Sequence, residues 1–435
     1  MKLLVIGSGG REHAIAKKFT ESPLVKTVFC AKGNIGMIQD GIQLVDIAEN
    51  DHDSLIQFVK AEQIAWTFVG PELSLFEGIT DAFETAGLKI FGPSKKAADL
   101  ECSKQFAKDL MKKYAIPTAS YKTFEEYKLA VSYVESKGVP IVIKADGLAA
   151  GKGVIIAVTM KEATDALRHM LLEGKYATGK PKVVIEEYLE GEEFSLFALV
   201  NGSNYYYAGV AQDHKRAYDG DEGPNTGGMG AYSPVPQVSK ERIQEVMETV
   251  IKPTVNAMVA EGCPFKGVIY AGLMMTNKGL KVIEYNARFG DPETQVLMHQ
   301  LASDLAQIID DILNEKTPLI KMHTDRYTLG IVVSAEGYPE FPMSNISIPQ
   351  MTTKGTGCNI YVAGMKKVET NLVSSGGRIL LVEAQGTTLQ EAQKKAYRYL
   401  EDNPICHTYY RMDIGEKAIQ FGENKKDPKN KVLFN

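Results

Sequence analysis

Apolar and polar positions follow two different periods along the first 95 residues. Short apolar runs rich in β-branched residues predict strands over 3–6, 28–30, 64–69 and 89–91. Between them, apolar residues recur at helical spacing and predict helices over 12–19, 53–62 and 76–86. Because strands that alternate with helices usually form a parallel, doubly wound sheet, we expect that α/β architecture here.

The pattern changes after the turn Gly92-Pro93-Ser94, and further elements follow. Helices are predicted over 97–113, 124–136, 161–173, 241–261 and 294–314. Strands are predicted over 141–144, 154–158, 183–189, 194–200, 205–210, 267–275 and 280–285. From about residue 326, strands over 329–334, 359–363 and 378–383 and one helix over 389–400 predict an α+β unit. We therefore expect three domains, over 1–100, 101–325 and 326–435.

The composition excludes several classes of protein. Of the 435 residues, 44% are apolar and 24% charged, as in soluble globular proteins. A net charge of −5 provides no basic field for nucleic acid. No apolar run approaches the roughly 18 residues that a membrane-spanning helix needs, and the cysteines show no metal-binding spacing. We expect a cytoplasmic protein that binds small molecules, not nucleic acid or membrane.

The glycine-rich turn after the first strand reads Gly7-Ser8-Gly9-Gly10-Arg11. A dinucleotide site of the form GxGxxG would need glycine at position 12, where this chain has Glu12. A strand-to-helix turn beside an arginine instead suits a single phosphate at a helix N-terminus. A tight turn that needs glycine only for packing is the alternative.

A second loop of small residues, 145–153, lies between two predicted strands. It does not match the phosphate loop of P-loop nucleotidases, because a strand follows it and Gly153 stands where Ser or Thr would be needed. A hairpin of this kind can cover a triphosphate, with Lys144 and Lys152 supplying positive charge. The alternative is a flexible surface hairpin.

The segment 281–293, KVIEYNARFGDPE, predicts a strand that ends in oxygen ligands. Side chains alternate along a strand, so Glu284 and Asn286 project from one face, and Asp291 and Glu293 follow in the next turn. Mg²⁺ prefers such ligands when phosphates supply the rest, and Arg288 adds a cation for phosphate or carboxylate. A solvated acidic strand end is the alternative.

Polar side chains also leave the strand pair that ends near residue 212. Asp213, His214 and Arg216 form one cluster, and the loop 223–230 carries little side-chain bulk, which allows a ligand close to the backbone. We expect His214 to contact substrate, although a lone histidine is more often structural. The acidic cluster of Glu186, Glu187 and Glu193 lies where an adenosine would need a carboxylate, but taken alone it is more typical of a solvated surface.

Several of these motifs together resemble one family. VIGSGGREHA, FVGPE, FGPS, VIKADGLAAGKGV, IEEYLEGEEFS, QDHKR, GPNTGGMGAYSP and VIEYNARFGDPETQ resemble, in this order, the phosphoribosylamine–glycine ligases, or glycinamide ribonucleotide synthetases, of the ATP-grasp superfamily. The resemblance implies an ATP-grasp fold with a mobile lid over about 119–190. It also implies the second step of de novo purine synthesis, in which ATP, glycine and 5-phosphoribosylamine give glycinamide ribonucleotide, ADP and phosphate. The implied metal is Mg²⁺ or Mn²⁺, and we expect a monomer.

The resemblance also implies roles for individual residues. ATP would be bound by Lys104, Lys144, Gly151, Lys152, Gly153, Glu186, Glu187, Leu189 and Glu193. The metal would be held by Glu284 and Asn286. Glycine and the reacting phosphate would be surrounded by Asp213, His214, Arg216, Arg288, Asp291 and the loop Asn225, Thr226, Gly227 and Gly228. Phosphoribosylamine would be met by Gly9, Gly10, Arg11 and Glu72.

The residue types favour activation of a carboxylate by phosphorylation. The chain shows no signature of a Ser/His/Asp or Cys/His triad, whereas cations and oxygen ligands are plentiful, and phosphoryl transfer depends mainly on positioning and charge. Two alternatives remain at this point. A related ATP-grasp ligase would act on bicarbonate or formate instead of glycine, and a nucleotide-sensing protein would bind ATP without turnover.

Overall fold

The computed structural model describes residues 1–147, 153–176 and 179–426, and for 423–426 it describes only the backbone. Gly151 and Lys152, both predicted to lie over ATP, are outside these residues. Among the helices that are described, none is long and apolar enough to cross a membrane.

The N-terminal unit is a parallel sheet with the strand order β3-β2-β1-β4-β5, so the predicted doubly wound architecture is confirmed. Its strands are β1 (Lys2–Gly7), β2 (Thr27–Lys32), β3 (Gln43–Val45), β4 (Trp66–Val69) and β5 (Ile90–Phe91). Its helices are α1 (Gly10–Thr20), α2 (His52–Glu62), α3 (Glu72–Glu77), α4 (Ile79–Thr85) and α5 (Lys95–Cys102). In such sheets, ligands bind at the carboxyl ends of the strands, where the turns after β1 and β4 lie.

Helix α6 (Lys104–Lys113) connects this unit to a small antiparallel sheet with the order β6-β9-β7-β8. The elements of the small sheet are β6 (Tyr121–Phe124), α7 (Tyr127–Lys137), β7 (Ile141–Ala145), β8 (Val154–Ala157), α8 (Met160–Leu167) with a π-helical turn over Arg168–Leu172, and β9 (Val183–Glu187). It has a hydrophobic core of its own, formed by residues such as Ile143, Leu167 and Ile185. This core lies within the predicted lid, 119–190, whose movement stays a prediction.

A large antiparallel sheet forms the centre of the molecule. Its order is β16-β15-β10-β11-β14-β17-β22-β19, and β23 pairs with β17. The elements up to residue 313 are β10 (Glu192–Asn201), β11 (Asn204–Asp213), β12 (Arg216–Tyr218), β13 (Glu222–Asn225), β14 (Gly230–Ser233), α9 (Lys240–Val246), α10 (Lys252–Ala260), β15 (Lys266–Thr276), β16 (Gly279–Asn286), α11 (Glu293–Gln300) and α12 (Leu305–Leu313). A π-helical turn over Met247–Ile251 joins α9 to α10.

The C-terminal elements are β17 (Tyr327–Ala335), β18 (Ser347–Ile348), β19 (Cys358–Val362), β20 (Met365–Val368), β21 (Asn371–Ser374), β22 (Arg378–Gly386), α13 (Leu389–Asp402), β23 (Thr408–Tyr409) and α14 (Glu416–Lys426). Strands β17, β19, β22 and β23 extend the large sheet, whereas β18, β21 and β20 form a small sheet of their own. Strand β14 pairs with β17 through residues such as Ala231 and Gly330. The sheet is therefore continuous across the predicted boundary at 325, and the three-domain division stays a prediction.

Several predicted helices are wrong in their bounds, because capping residues interrupt them. The helix predicted over 97–113 is split at Ser103, which is extended and accepts a hydrogen bond from the Phe106 N–H at 3.1 Å as the N-cap of α6. The helix predicted over 294–314 is split before Asp304, which caps α12. Gly78, with a φ of +89°, separates α3 from α4. The split at Ser103 places Lys104 at the start of a helix that faces the central cavity.

Candidate active site

A cavity of about 690 Å³ lies where the N-terminal unit, the small sheet and the large sheet meet. It is lined by most of the residues that the sequence predicted for the site. These are Arg11, Glu72, Lys104, Lys144, Gly153, Glu186, Glu187, Leu189, Glu193, Asp213, His214, Arg216, Asn225, Thr226, Gly227, Glu284, Asn286, Arg288 and Asp291. The structure thus brings together side chains that are far apart in the sequence.

The end of β16 supplies the oxygen-rich wall of the cavity. Glu284 and Asn286 both line it, as the alternation along the strand predicted. Tyr285 between them points into the core, where its hydroxyl lies 2.6 Å from that of Thr254. Burial alone would raise the pKa of Glu284, but Lys215, Lys144 and other nearby cations hold it below its ordinary value. Glu284 is therefore an anion that faces a cationic group of side chains.

Lysines line the cavity next to this strand. Lys144 donates to the Ile283 carbonyl at 3.1 Å and lies 3.0 Å from Oε1 of Glu186, whose Oε2 lies 2.8 Å from Nζ of Lys108. Burial lowers the pKa of Lys108 to about 8 despite this carboxylate. Lys104, at the start of α6, donates to the Gly147 carbonyl at 2.9 Å. The predicted adenine-side residue Glu186 is thus held between two lysines.

Lys215 links the acidic groups on the floor of the cavity. It forms an ion pair with Glu193, and its Nζ lies 4.0 Å from Oε1 of Glu284. Burial would lower the pKa of Lys215, but Glu193, Glu284 and Asp213 raise it well above its ordinary value. An ammonium group between these carboxylates indicates that this part of the cavity is built to hold a cation against acidic side chains.

Arg288 carries the charge on the N-terminal side of the cavity. Its guanidinium bonds to the Glu72 carboxylate at 3.0 Å through Nε and lies 2.9 Å from Glu101 through Nη2. Arg288 lowers the pKa of Glu72 to about 2, against the effect of burial, and Arg11 contributes from 3.8 Å. Burial raises the pKa of Glu101. Two arginines and two carboxylates therefore hold one another in a fixed arrangement.

The turn after β1 is filled by Glu12. Its carboxylate accepts hydrogen bonds from the Gly9 N–H at 2.8 Å and from Nε of Arg11 at 2.6 Å. A Cβ on Gly7 or on Gly70 would lie 2.2 Å from Glu12 atoms. The residue that breaks the dinucleotide pattern thus occupies the helix N-terminus itself, and of this turn only Arg11 lines the cavity. The predicted substrate residues Gly9 and Gly10 lie behind it, beside Asp291.

The cluster after β11 has both structural and cavity-facing members. His214 is buried; its Nδ1–H donates to the Gly230 carbonyl at 3.3 Å, and its Nε2 accepts from the Gly415 N–H at 3.3 Å. Burial lowers the pKa of His214 to about 4, so the ring is neutral at pH 7. The His214 ring holds two backbone segments. Asp213 is half-buried, and its shielded Oδ1 has no hydrogen-bond partner and faces Gly228.

Sequence reasoning missed several lining residues that carry charge. They include Glu101, Lys108, Glu192, Lys215, Asp221, Arg378 and Lys417. Lys108 lies one helical turn after Lys104, so the spacing of four residues on α6 could have indicated it. Gly228, which was predicted for the site, does not line the cavity, because Pro292 and Asp213 cover it.

The oxygen ligands fit a divalent metal that is shared with phosphates. Among the residues that the structure describes, no group of three or more His, Cys, Asp or Glu side chains could hold a metal alone. Glu284 and Asn286 present a charged and a neutral oxygen, and Glu293, 2% exposed, lies at the same end of the cavity. A hard cation that keeps few protein ligands and takes the rest from phosphate oxygens suits this donor set.

Solved structures share the whole arrangement of elements. A phosphoribosylamine–glycine ligase from Thermotoga maritima has a TM-score of 0.82 at 32% identity and covers 95% of this chain and 100% of its own. A biotin carboxylase from Campylobacter jejuni has a TM-score of 0.72 at 14% identity over 99% of this chain and 96% of its own, and therefore shares the fold. The fold and the charged cavity define an ATP-grasp enzyme.

Three family models of phosphoribosylglycinamide synthetase match the chain: the N domain over 1–101, the ATP-grasp (A) domain over 102–294 and the C domain over 328–417. The chain belongs to the phosphoribosylglycinamide synthetase family and is a ligase of purine biosynthesis. Its curated relatives include phosphoribosylamine–glycine ligases of Lactococcus lactis, 53% identical over 420 residues, and Streptococcus suis, 51% identical over 422 residues. The matches cover 96% and 97% of this chain and 100% of each relative.

Proposed function

We propose that the chain joins the carboxyl group of glycine to the amine of 5-phosphoribosylamine through a glycyl phosphate formed inside this cavity. The observation that carries the proposal is that one cavity is lined both by the cations Lys104, Lys144, Lys215 and Arg288 and by the anionic Glu284. A carboxylate is a poor electrophile, and phosphorylation gives it a good leaving group. Phosphoryl transfer needs positioning and charge neutralisation more than a protein nucleophile.

In this proposal, the ATP phosphates lie between Lys104 and Lys144, beside Gly153. The segment from Glu186 to Leu189 binds the adenine. Glu193 binds the ribose hydroxyls after its ion pair with Lys215 breaks. The acidic and amide oxygens of Glu284 and Asn286 hold the divalent metal, Mg²⁺ or Mn²⁺, which supplies positive charge to the phosphate oxygens when bound. Lys108 on α6 and Lys144 on β7 add positive charge to this region, which supports binding of the triphosphate here.

Glycine is placed at the other end of the cavity. As a zwitterion it needs a cation for its carboxylate and an anion for its ammonium group. Arg288 offers the cation and Asp291 the anion. Burial and the nearby Glu293 raise the pKa of Asp213 well above its ordinary value, so Asp213 offers a carboxyl group rather than a full negative charge. Phosphoribosylamine approaches from the N-terminal unit, along Arg11 and Glu72. Its amine attacks the acyl carbon, the carbon–nitrogen bond forms, and phosphate leaves.

The small sheet over 119–190 acts as the lid. A glycyl phosphate would hydrolyse in open water, so closure over the triphosphate protects it. The separate core of this sheet supports movement as one body. The proposed division is a phosphoribosylamine domain over 1–100, an ATP-grasp domain over 101–325 and a closing domain over 326–435, in a monomer that acts on small molecules in the cytoplasm.

The test is ADP formation by the purified chain with ATP, Mg²⁺ and phosphoribosylamine generated in situ. The proposal predicts turnover with glycine and none with bicarbonate or formate in its place. Turnover with either of these instead of glycine would assign the chain to another ATP-grasp reaction. ATP binding without turnover under any of these conditions would indicate a nucleotide sensor.

A further inference from the structure

One guanidinium of the C-terminal part of the chain reaches the wall of the cavity. Arg378 begins β22, and 20% of its side chain is exposed. Its Nη1 donates to the carbonyl oxygens of Gly227 at 2.7 Å and Asp291 at 2.8 Å, and its Nη2 donates to the Asp291 carboxylate at 3.0 Å. Arg378 thus joins the glycine-rich loop to the turn that follows β16.

A second C-terminal side chain holds the same loop. The Gly227 N–H donates to the hydroxyl of Tyr338 at 3.0 Å, so both polar backbone groups of Gly227 are bound by C-terminal side chains. The ring of Tyr338 packs against Gly377, where a Cβ would lie 2.2 Å from it. The absence of a side chain at Gly377 therefore lets Tyr338 lie next to Arg378.

The glycines of the loop make room for these contacts. A Cβ on Gly227 would lie 3.0 Å from Cζ of Arg378, and a Cβ on Gly228 would lie 2.7 Å from Oδ1 of Asp213. The loop is therefore pressed between Arg378 on one side and Asp213 on the other. A shift of the loop would change the surroundings of both Asp213 and Asp291 together.

We propose that Arg378 is a positioning residue for glycine, which fastens the loop over 225–230 and Asp291 in the arrangement that receives the amino acid. The inference rests on the function proposed above. The hydrogen bonds of Arg378 go to protein groups, so its role is to act through the loop and Asp291. The phosphate-side lysines Lys104 and Lys144 bond instead to Gly147 and Ile283. The C-terminal part of the chain thereby completes the glycine end of the site and leaves the ATP end unchanged.

A merely structural role would have a different signature. If Arg378 only stabilised the fold, its replacement would lower the thermal stability and would weaken the use of glycine and the binding of ATP to the same extent. The planar guanidinium binds a carboxylate and carbonyl groups at once, whereas a lysine offers a single point charge. Lysine should therefore restore the charge but not the position of the loop.

The experiment compares R378A, R378K and Y338F with the wild type and with R398A, a control at an exposed arginine of α13. Steady-state ADP formation with phosphoribosylamine gives kcat/KM for glycine, and calorimetry gives the Kd of ATP. We expect R378A to lower kcat/KM for glycine about 100-fold, the loss typical of a misplacement near 1 Å. The Kd of ATP should stay within about twofold. R378K should remain closer to R378A than to the wild type, Y338F should show a smaller loss of the same kind, and R398A should match the wild type.

The outcomes separate this inference from the proposed function. A wild type that forms no ADP with glycine would overturn the proposed function, whatever the variants do. With an active wild type, an R378A variant that keeps its glycine kinetics, or that loses glycine and ATP affinity equally, would overturn the positioning role. If R378A does not fold, Gly227→Ala takes its place, because the added Cβ displaces the guanidinium. A lower kcat/KM for glycine with an unchanged Kd of ATP would support the inference, and an equal weakening of ATP binding would overturn it.

Discussion

Replacing Glu72 by Gln removes the charge that balances Arg288 on the N-terminal side of the cavity. Arg288 bonds to Glu72 at 3.0 Å, and Arg11 lies 3.8 Å away. The pKa of Glu72 falls from the ordinary 4.5 to about 2, chiefly because of Arg288. A carboxyl group shifted this far contributes about 3 kcal/mol to the free energy of unfolding at neutral pH. However, 29% of the Glu72 side chain is exposed, and Arg288 still pairs with Glu101 in the variant. We therefore expect E72Q to lower the free energy of unfolding by about 1 to 2 kcal/mol.

Urea unfolding followed by fluorescence of Trp66, the single tryptophan, reports on the N-terminal unit that carries Glu72. The pKa is lower in the folded state, so the contribution is complete above about pH 4.5 and is lost as the pH falls towards about 2. The difference between the wild type and E72Q should be constant from about pH 8 to 6 and shrink below about 4.5. Glu135→Gln, at an exposed position of α7, is the matched control. No difference at neutral pH, or an undiminished difference near pH 3, would refute the reasoning.

Glu284→Ala should lower ADP formation at saturating Mg²⁺ by about 100-fold or more, because it removes the charged metal ligand, and activity near that of the wild type would contradict the metal assignment. His214→Asn should reduce the decrease in the free energy of unfolding that occurs at acidic pH. Burial holds the pKa of His214 at about 4, so the histidine takes up a proton when the protein unfolds. The free energy of unfolding of the wild type should therefore fall by about 2 to 3 kcal/mol from this group as the pH falls from 6.5 to 4. Urea unfolding should show that the variant lacks this decrease. Gly70→Ala should cost about 1 to 3 kcal/mol in the same assay, because its Cβ would lie 2.2 Å from Oε1 of Glu12. Gly422→Ala, which has open space around it, should cost nothing, and equal effects of the two substitutions would contradict the packing argument.

The parts of the site that sequence could predict are those set by local geometry. Glu284 and Asn286 share a face because the period of a strand is two, and the structure places both in the cavity. Glu12 breaks the dinucleotide pattern, but the sequence could not show that its carboxylate fills the turn. That contact depends on a side-chain rotamer and on the close approach of Gly70 from another strand.

The parts that sequence could not predict depend on contacts between distant segments. Arg378 meets Asp291 across 87 positions of the chain, and no periodic pattern encodes such a pairing. The continuity of the large sheet depends in the same way on the pairing of β14 with β17. The helix breaks at Ser103 and Asp304 are different, because both are capping residues whose signal was present in the sequence and was outweighed by helical periodicity.

The central claim is that ATP phosphorylates the carboxyl group of glycine before the amine attacks. Positional isotope exchange tests it most directly, using ATP labelled with ¹⁸O at the bridge between the β- and γ-phosphates and no phosphoribosylamine. We predict that glycine will cause the label to move from the bridge to the nonbridging positions of the β-phosphate, because the cleaved β-phosphate rotates before ATP re-forms. No movement of the label with glycine, from enzyme that forms ADP once phosphoribosylamine is added, would contradict the glycyl phosphate.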